Sequence, residues 1–164
     1  MPPSPLIDLT RFSSEQTLWG PDVIRDLIPH RHEMSLIDGV VFHDPDDGSI
    51  AGFKDVRDSE FWVRGHIPGR PLFPGVLIIE AAAQLCSIHY QLLSRGDDAK
   101  AREKSFIGLG GLDRIRYRGT VVPGDRLLLL ARSLGLRSRM AFFETQALVN
   151  DCVVFEGRIT GVRV

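Results

Sequence analysis

The sequence predicts an α+β domain in which one antiparallel sheet wraps a single long helix, and three observations carry that reading. Residues 76 to 93 recur at helical spacing, with Val76, Leu77, Ile78, Ile79, Ala81, Ala82, Ala83, Leu85, Cys86, Ile88, Leu92 and Leu93 covering most of the circumference, the pattern of a helix buried nearly all round. Two stretches before this helix and four or five after it are rich in branched and aromatic residues and alternate with the two-residue period of strands. Two strands, one long helix and then a run of strands is the element order of an α+β fold, with one sheet large enough to enclose the helix.

Taken in order, residues 1–19 contain Pro2, Pro3 and Pro5, with Leu6, Ile7, Leu9, Phe12 and Trp19 scattered without a period. They read as an N-terminal extension that packs loosely or runs over the surface, and residues 20–164 as a single domain. Pro21 suits a first helical position; Val23, Ile24, Leu27 and Ile28 repeat at helical spacing, and Pro29 ends a short helix. Met34 to His43 alternates into Val40, Val41 and Phe42, the cluster Asp44-Pro45-Asp46-Asp47-Gly48 turns the chain, and Ser49 to Val56 returns as the second strand of a hairpin. Beyond the long helix, Ser94 to Lys104, with Gly96-Asp97-Asp98, reads as a polar connector. Strands are expected over Ser105 to Leu109, Leu112 to Arg118, Arg126 to Leu136, Arg139 to Val149 and Cys152 to Val164, with Asn150-Asp151 as a tight hairpin turn.

Between the hairpin and the helix, the eleven residues from Gly65 to Gly75 hold Gly65, Gly69, Gly75, Pro68, Pro71 and Pro74, so φ is fixed or specially chosen at six positions. Such a loop is a rigid mount, and His66 is the one group on it whose charge changes near neutrality. On the following helix Glu80, Gln84, Ser87 and Gln91 fall at i, i+4, i+7 and i+11, a single stripe. That stripe is either the wet side of an amphipathic helix or a functional row behind the clamped histidine. His66 suits a general base; Glu80, between Ile79 and Ala81, is expected to have its pKa raised by desolvation and to hold a proton it can give away. The helix start adds the unpaired amides of Gly75 and Val76 at the positive end of the macrodipole. The pair His30 and His32 invites a metal reading, but no carboxylate, cysteine or third histidine at ligand spacing supports one.

The stretch G-H-I-P-G-R-P-L-F-P-G-V-L-I-I-E-A-A-A-Q, Gly65 to Gln84, resembles the signature of the hotdog-fold (3R)-hydroxyacyl-[acyl-carrier-protein] dehydratases of the FabZ type, within the wider FabA/FabZ family, with Ile67 where that signature has phenylalanine. The resemblance extends to Leu27-Ile28-Pro29-His30-Arg31, to Gly111-Leu112-Asp113 and to Val121-Val122-Pro123-Gly124-Asp125, and so over roughly residues 20 to 160. It implies a hotdog fold and the dehydration of acyl-carrier-protein-bound (3R)-hydroxyacyl thioesters to trans-2-enoyl thioesters, in fatty-acid or related biosynthesis. It implies His66 as the base, Glu80 as the acid, Gly75 as donor to the thioester carbonyl beside Val76, and Gln84 in support of the carboxylate. It also implies a homodimer, or a trimer of such dimers, in which the histidine of one chain faces the carboxylate of the other. The substrate rides on the phosphopantetheine of acyl carrier protein, with neither metal nor organic cofactor, and the two partners are that carrier and a second copy of the chain. Ser59, Trp62 and Val63 depart from the family's residues just before the loop, where acyl length would be read, and Gly39 stands where the family often has arginine. Two other activities are compatible with such a fold: an acyl-CoA or acyl-carrier-protein thioesterase, and a non-catalytic acyl-thioester-binding paralogue.

Composition limits the remaining classes. The 164 residues are 43% hydrophobic and 25% charged, an ordinary globular balance for one domain. A formal net charge of -1 argues against a general nucleic-acid binder. Locally the chain is basic: Arg102, Lys104, Arg114, Arg116, Arg118, Arg126, Arg132, Arg137 and Arg139 face three acids in the same span, either a solvated surface or a docking face for an acidic partner. Arg70 joins Arg102, Arg116, Arg118, Arg137 and Arg139 as candidates for the latter. Cys86 and Cys152 suggest no disulfide framework and fit a reducing cytoplasm. The start has neither a basic n-region nor an apolar h-region, so neither secretion nor membrane insertion is expected.

Overall fold

The computed structural model describes residues 3–94 and 106–164. Helix α1 spans Pro21–Leu27, strand β1 Gly39–Asp44, β2 Ser49–Asp55, helix α2 Gly75–Leu93, β3 Ile107–Tyr117, β4 Arg126–Leu136, β5 Met140–Val149 and β6 Cys152–Arg163. The six strands make one antiparallel sheet in the order β1-β2-β4-β5-β6-β3, and α2 packs across it, touching β2 to β6. This is the hotdog arrangement. The polar connector over Ser94 to Lys104, with the basic residues Arg102 and Lys104, lies almost wholly outside the described residues, as does Ser105.

Alternation along β4 splits the core into two layers. Leu127, Leu129 and Ala131 face α2 and join Ile78, Ala81, Ala82, Leu85 and Ile88 in the larger cluster. Leu128 and Leu130 face the other way, onto a second cluster with Val41, Phe53, Leu148 and Ile7. Ile7 is fully buried there, and Leu6, Leu9 and Phe12 pack beside it. The N-terminal extension is therefore tied down: Leu6 N–H donates to Gln146 Oε1 at 2.6 Å and Arg132 donates to Leu6 O at 2.7 Å. The expectation of loose packing fails because apolar residues without a period can still cover an apolar sheet face in an irregular conformation.

Two strand boundaries also differ from expectation. The first strand begins at Gly39, not Met34, because the backbone of Met34 and Leu36 bonds to the side chain of Gln84 on α2 rather than to a neighbouring strand. The two strands expected on either side of Gly110-Gly111 are one strand, β3, with irregular register at Leu109/Gly111 and Asp113/Arg116. A Cβ on Gly110 would fall 2.1 Å from the Val162 side chain, so glycine there serves close strand packing and not a break. The turn between β5 and β6 is as expected: Asn150 and Asp151 both have positive φ, 48° and 61°, as a two-residue hairpin turn demands.

The helix α2 has the length and apolarity to cross a membrane, but half of it is buried within this domain, as its core. β3 ends the sheet, with Leu109, Leu112 and Tyr117 about half exposed along it.

Candidate active site

His66 is held at three points. Its amide donates to Trp62 O at 2.7 Å, its carbonyl accepts from Leu72 N–H at 2.9 Å, and its ring Nδ1 lies 2.7 Å from Leu72 O. A carbonyl oxygen can only accept, so Nδ1 must carry the proton, which leaves the Nε2 lone pair of the neutral ring free. The turn beyond it closes by reciprocal bonds between Ile67 and Arg70, with Gly69 at φ 75°. The loop is anchored below by Glu60, which pairs with the buried Lys54 Nζ at 3.1 Å and accepts from Trp62 Nε1 at 3.0 Å. The Trp62 ring stands edge-on to Phe73, whose amide bonds to Val121 O. The His66 ring itself is exposed.

Glu80 lies one turn and a half into α2 and is half-buried. Its Oε1 accepts from Gln84 Nε2 at 2.8 Å and stands 3.3 Å from His30 Nε2. Gln84 is buried and fully used, its Oε1 accepting from Leu36 N–H at 3.0 Å and its amide nitrogen also donating to Met34 O at 2.7 Å. Because Leu36 N–H can only donate and Met34 O only accept, the amide orientation is fixed, and Gln84 meets Glu80 as a donor. The stripe of polar residues is thus not the wet side of the helix, since Gln84 and Ser87 are buried.

The expected rise in the Glu80 pKa is reversed. The hydrogen bond from His30 holds the carboxyl below its ordinary value, against the burial that pushes the other way, and Gln84 adds to the lowering. Sequence reasoning assigned His30 no role at the site; it is the imidazole that reaches Glu80 within the chain. The available signal was the histidine pair at 30 and 32, read for a metal. Among the described residues no group of three His, Cys, Asp or Glu could hold one.

At the tip of α2, Pro74 is the N-cap and offers no side-chain bond, and Leu77 and Ile78 N–H both turn back to Pro74 O. The amides of Gly75 and Val76 are left without partners among the described residues, beside a Val76 side chain that is 70% exposed. The Tyr117 ring lies so close to Gly75 that a Cβ there would approach it to 2.9 Å, so a larger residue would require the ring to move. Burial raises the Tyr117 hydroxyl above its usual range. Tyr117 was read only as a strand residue.

A cavity of about 130 Å³ runs from Glu80 down α2 between Ala83 and Ser87 on one side and Phe106 to Leu109, Ile159 and Gly161 on the other. His66 does not line it, and no bond joins His66 to Glu80 among the described residues. Within one chain His66 and Glu80 thus share neither a hydrogen bond nor this cavity among the described residues.

Comparison with known proteins gives a family and a fold. Residues 28–158 match the family described as FabA-like domain. Among solved structures, the ApeI:P dehydratase heterocomplex of Xenorhabdus doucetiae superposes with a TM-score of 0.69 at 16% identity, over 86% of this chain and 90% of that one. A mutant thioesterase of Pseudomonas aeruginosa gives 0.56 at 20% identity, over 76% and 81%. A virulence protein of Campylobacter jejuni gives 0.59 at 18%, over 87% and 88%. At these identities the structures establish a shared fold, and dehydratase and thioesterase stand side by side among them.

Proposed function

From the premise that the chain belongs to the FabA-like domain family, we propose that it is a hydro-lyase that converts (3R)-hydroxyacyl thioesters into trans-2-enoyl thioesters. The observation that carries the reading is a set of three groups. The His66 ring has a fixed tautomer and a free Nε2; Glu80 has one oxygen tied and the other open; two unpaired amides sit at a helix tip. In the proposed reaction His66 Nε2 takes the α-proton and the electron pair forms the new double bond. The bond from Cβ to oxygen breaks, and the departing hydroxyl leaves as water with a proton delivered through Glu80. The amides of Gly75 and Val76 receive the charge that gathers on the thioester oxygen, a kind of stabilisation worth roughly 3 kcal/mol. No metal or organic cofactor enters these steps.

Because the two groups stand apart in one chain, the complete site is proposed to form between two copies, with His66 of one facing Glu80 of the other. The free edge of β3 and its exposed Leu109 and Leu112 support such a pairing. Acyl carrier protein is the proposed donor of substrate, in the cytoplasm, and the exposed Arg70, Arg116, Arg118, Arg137 and Arg139 are candidates to meet its acidic surface.

One observation favours a second reading. A carboxyl held ionised is suited to activate water, which is what a thioesterase needs. The two are separated by giving the purified protein 3-hydroxyacyl thioesters and following the conjugated double bond and free thiol together. Enoyl product without thiol supports the dehydratase; thiol release without enoyl product overturns it. His66→Ala and Glu80→Gln are each expected to lower dehydration by at least about two orders of magnitude. Mixed after subunit exchange, the two inactive variants are expected to regain part of the activity; none regained despite proven exchange refutes the shared site.

A further inference from the structure

The dehydratase reading leaves a difficulty at Glu80: a carboxyl that its neighbours hold ionised is a poor source of the proton the leaving hydroxyl needs. The geometry contains the remedy. Both partners of Glu80 sit on Oε1, and one of them, Gln84, can only donate there. Oε2 has no partner among the described residues and is the oxygen left open to a substrate. The other partner of Oε1, His30 Nε2, belongs to a residue able to carry a proton itself. Its second nitrogen, Nδ1, is buried and has no hydrogen-bond partner among the described residues.

His30 also stands between two cavities. On one side is the cavity it shares with Glu80; on the other is one of about 140 Å³ lined by Ser35, Asp38, Arg25 and Gln84. The second is polar and roomy enough for water, which gives Nδ1 a route to solvent protons. The charged and titratable groups facing the pair are few: Arg25 and Asp38 across the second cavity, and in the first the Cys86 thiol, which burial pushes up and keeps neutral.

We propose that His30 is the positioning and proton-storing partner of Glu80, so that the acid of the reaction is the imidazole–carboxyl pair and not the carboxyl alone. This rests on the dehydratase reading. The pair holds one proton before turnover. Glu80 gives it to the hydroxyl as the bond from Cβ to oxygen breaks, His30 Nε2 restores a proton to the carboxyl through Oε1, the carboxyl turns to present its protonated oxygen to the next substrate, and solvent reprotonates His30 at Nδ1. His66 returns the α-proton to solvent, so that one proton is gained and one lost per cycle.

The test is the pH profile of wild type against His30→Gln, which can still donate to Glu80 but cannot store a proton. The alkaline limb of kcat/KM is expected to move at least one pH unit toward acid in the variant, so that the wild-type advantage grows about tenfold between pH 5 and pH 8. Superimposable profiles, or a uniform loss at every pH, overturn the proposal. His30→Asn serves if the glutamine variant does not fold. A second measurement does not depend on turnover: carboxyl ¹³C NMR of Glu80, whose titration midpoint is expected to rise in His30→Ala, which removes the hydrogen bond to Oε1. A midpoint that stays put overturns the pairing, while a shifted midpoint in a protein that makes no enoyl product means that the dehydratase reading has failed and the pairing stands.

Discussion

Lowering the pH from 8 to 5 should destabilise the fold through one residue, His89. It lies on α2 with no exposed surface, its Nε2 2.7 Å from Gly48 O at the turn between β1 and β2. Since that oxygen can only accept, Nε2 donates, and Nδ1 is left as a buried lone pair with no partner among the described residues. The ring lies against those of His43 at 5.3 Å and Phe143 at 6.2 Å, and no acceptor bonds its Nδ1 among the described residues. Burial, aided by His43, drives the His89 pKa from 6.5 down to about 4, against the Gly48 bond and Asp47, which act in the opposite sense. The unfolded chain therefore binds this proton first. The stabilisation is complete above the unfolded pKa and is lost as pH falls from there toward the folded one. At pH 5, about one and a half units below the unfolded value, the loss is about 2 kcal/mol, a substantial part of a typical domain's 5–15 kcal/mol. Urea unfolding at pH 8 and pH 5 measures it, with His89→Gln as the reference, because glutamine keeps a donor for Gly48 and has no charge to gain. Wild type should lose about 2 kcal/mol more than the variant between the two pH values. An equal loss in both would refute the reasoning, and would move the acid sensitivity to His43, which burial also lowers, or to the carboxylates.

Other substitutions probe the scaffold. Ile7→Ala should cost about 2–5 kcal/mol in chemical denaturation, because it empties a fully buried site between the N-terminal extension and the sheet; a change near zero would mean that the extension contributes nothing to the fold. Glu60→Gln leaves Lys54 buried without its counter-charge and should cost about 3–5 kcal/mol, with turnover falling further than stability alone explains if the His66 mount shifts; unchanged stability would refute the buried pairing.

Much of the fold was legible because periodicity reports which residues share a face. The apolar run over 76 to 93, the limits of β4 and the Asn150-Asp151 turn follow from spacing and turn chemistry alone. What periodicity cannot report is what covers a face. Nothing local distinguishes a polar stripe in water from one that binds backbone, and Gln84 does the latter, with partners some fifty residues away in sequence at Met34 and Leu36. Those contacts start the first strand late, and another of similar range reverses the shift at Glu80, whose lowering depends first on His30, fifty positions upstream. The residues Ile79 and Ala81 on either side of Glu80 indicated desolvation correctly; the competing hydrogen bonds were invisible.

If His66 and Glu80 act as proposed, their placement follows from the physical demands on each. The carboxyl sits on the most buried helix, where Gln84 and His30 fix one of its oxygens and the core prevents drift. The imidazole sits on an exposed loop, rigid through its prolines and its bonds to Trp62 and Leu72, where a second surface can reach it. In the proposed reaction an imidazole on an outward mount and a carboxyl on the core helix must come together, although within one chain His66 does not line the cavity at Glu80. A shared site between two copies resolves this without loosening either, because each chain keeps its acid fixed from within and offers its base outward. Oligomer formation on this view is a condition of the chemistry, and a monomer that folds fully should still be inactive.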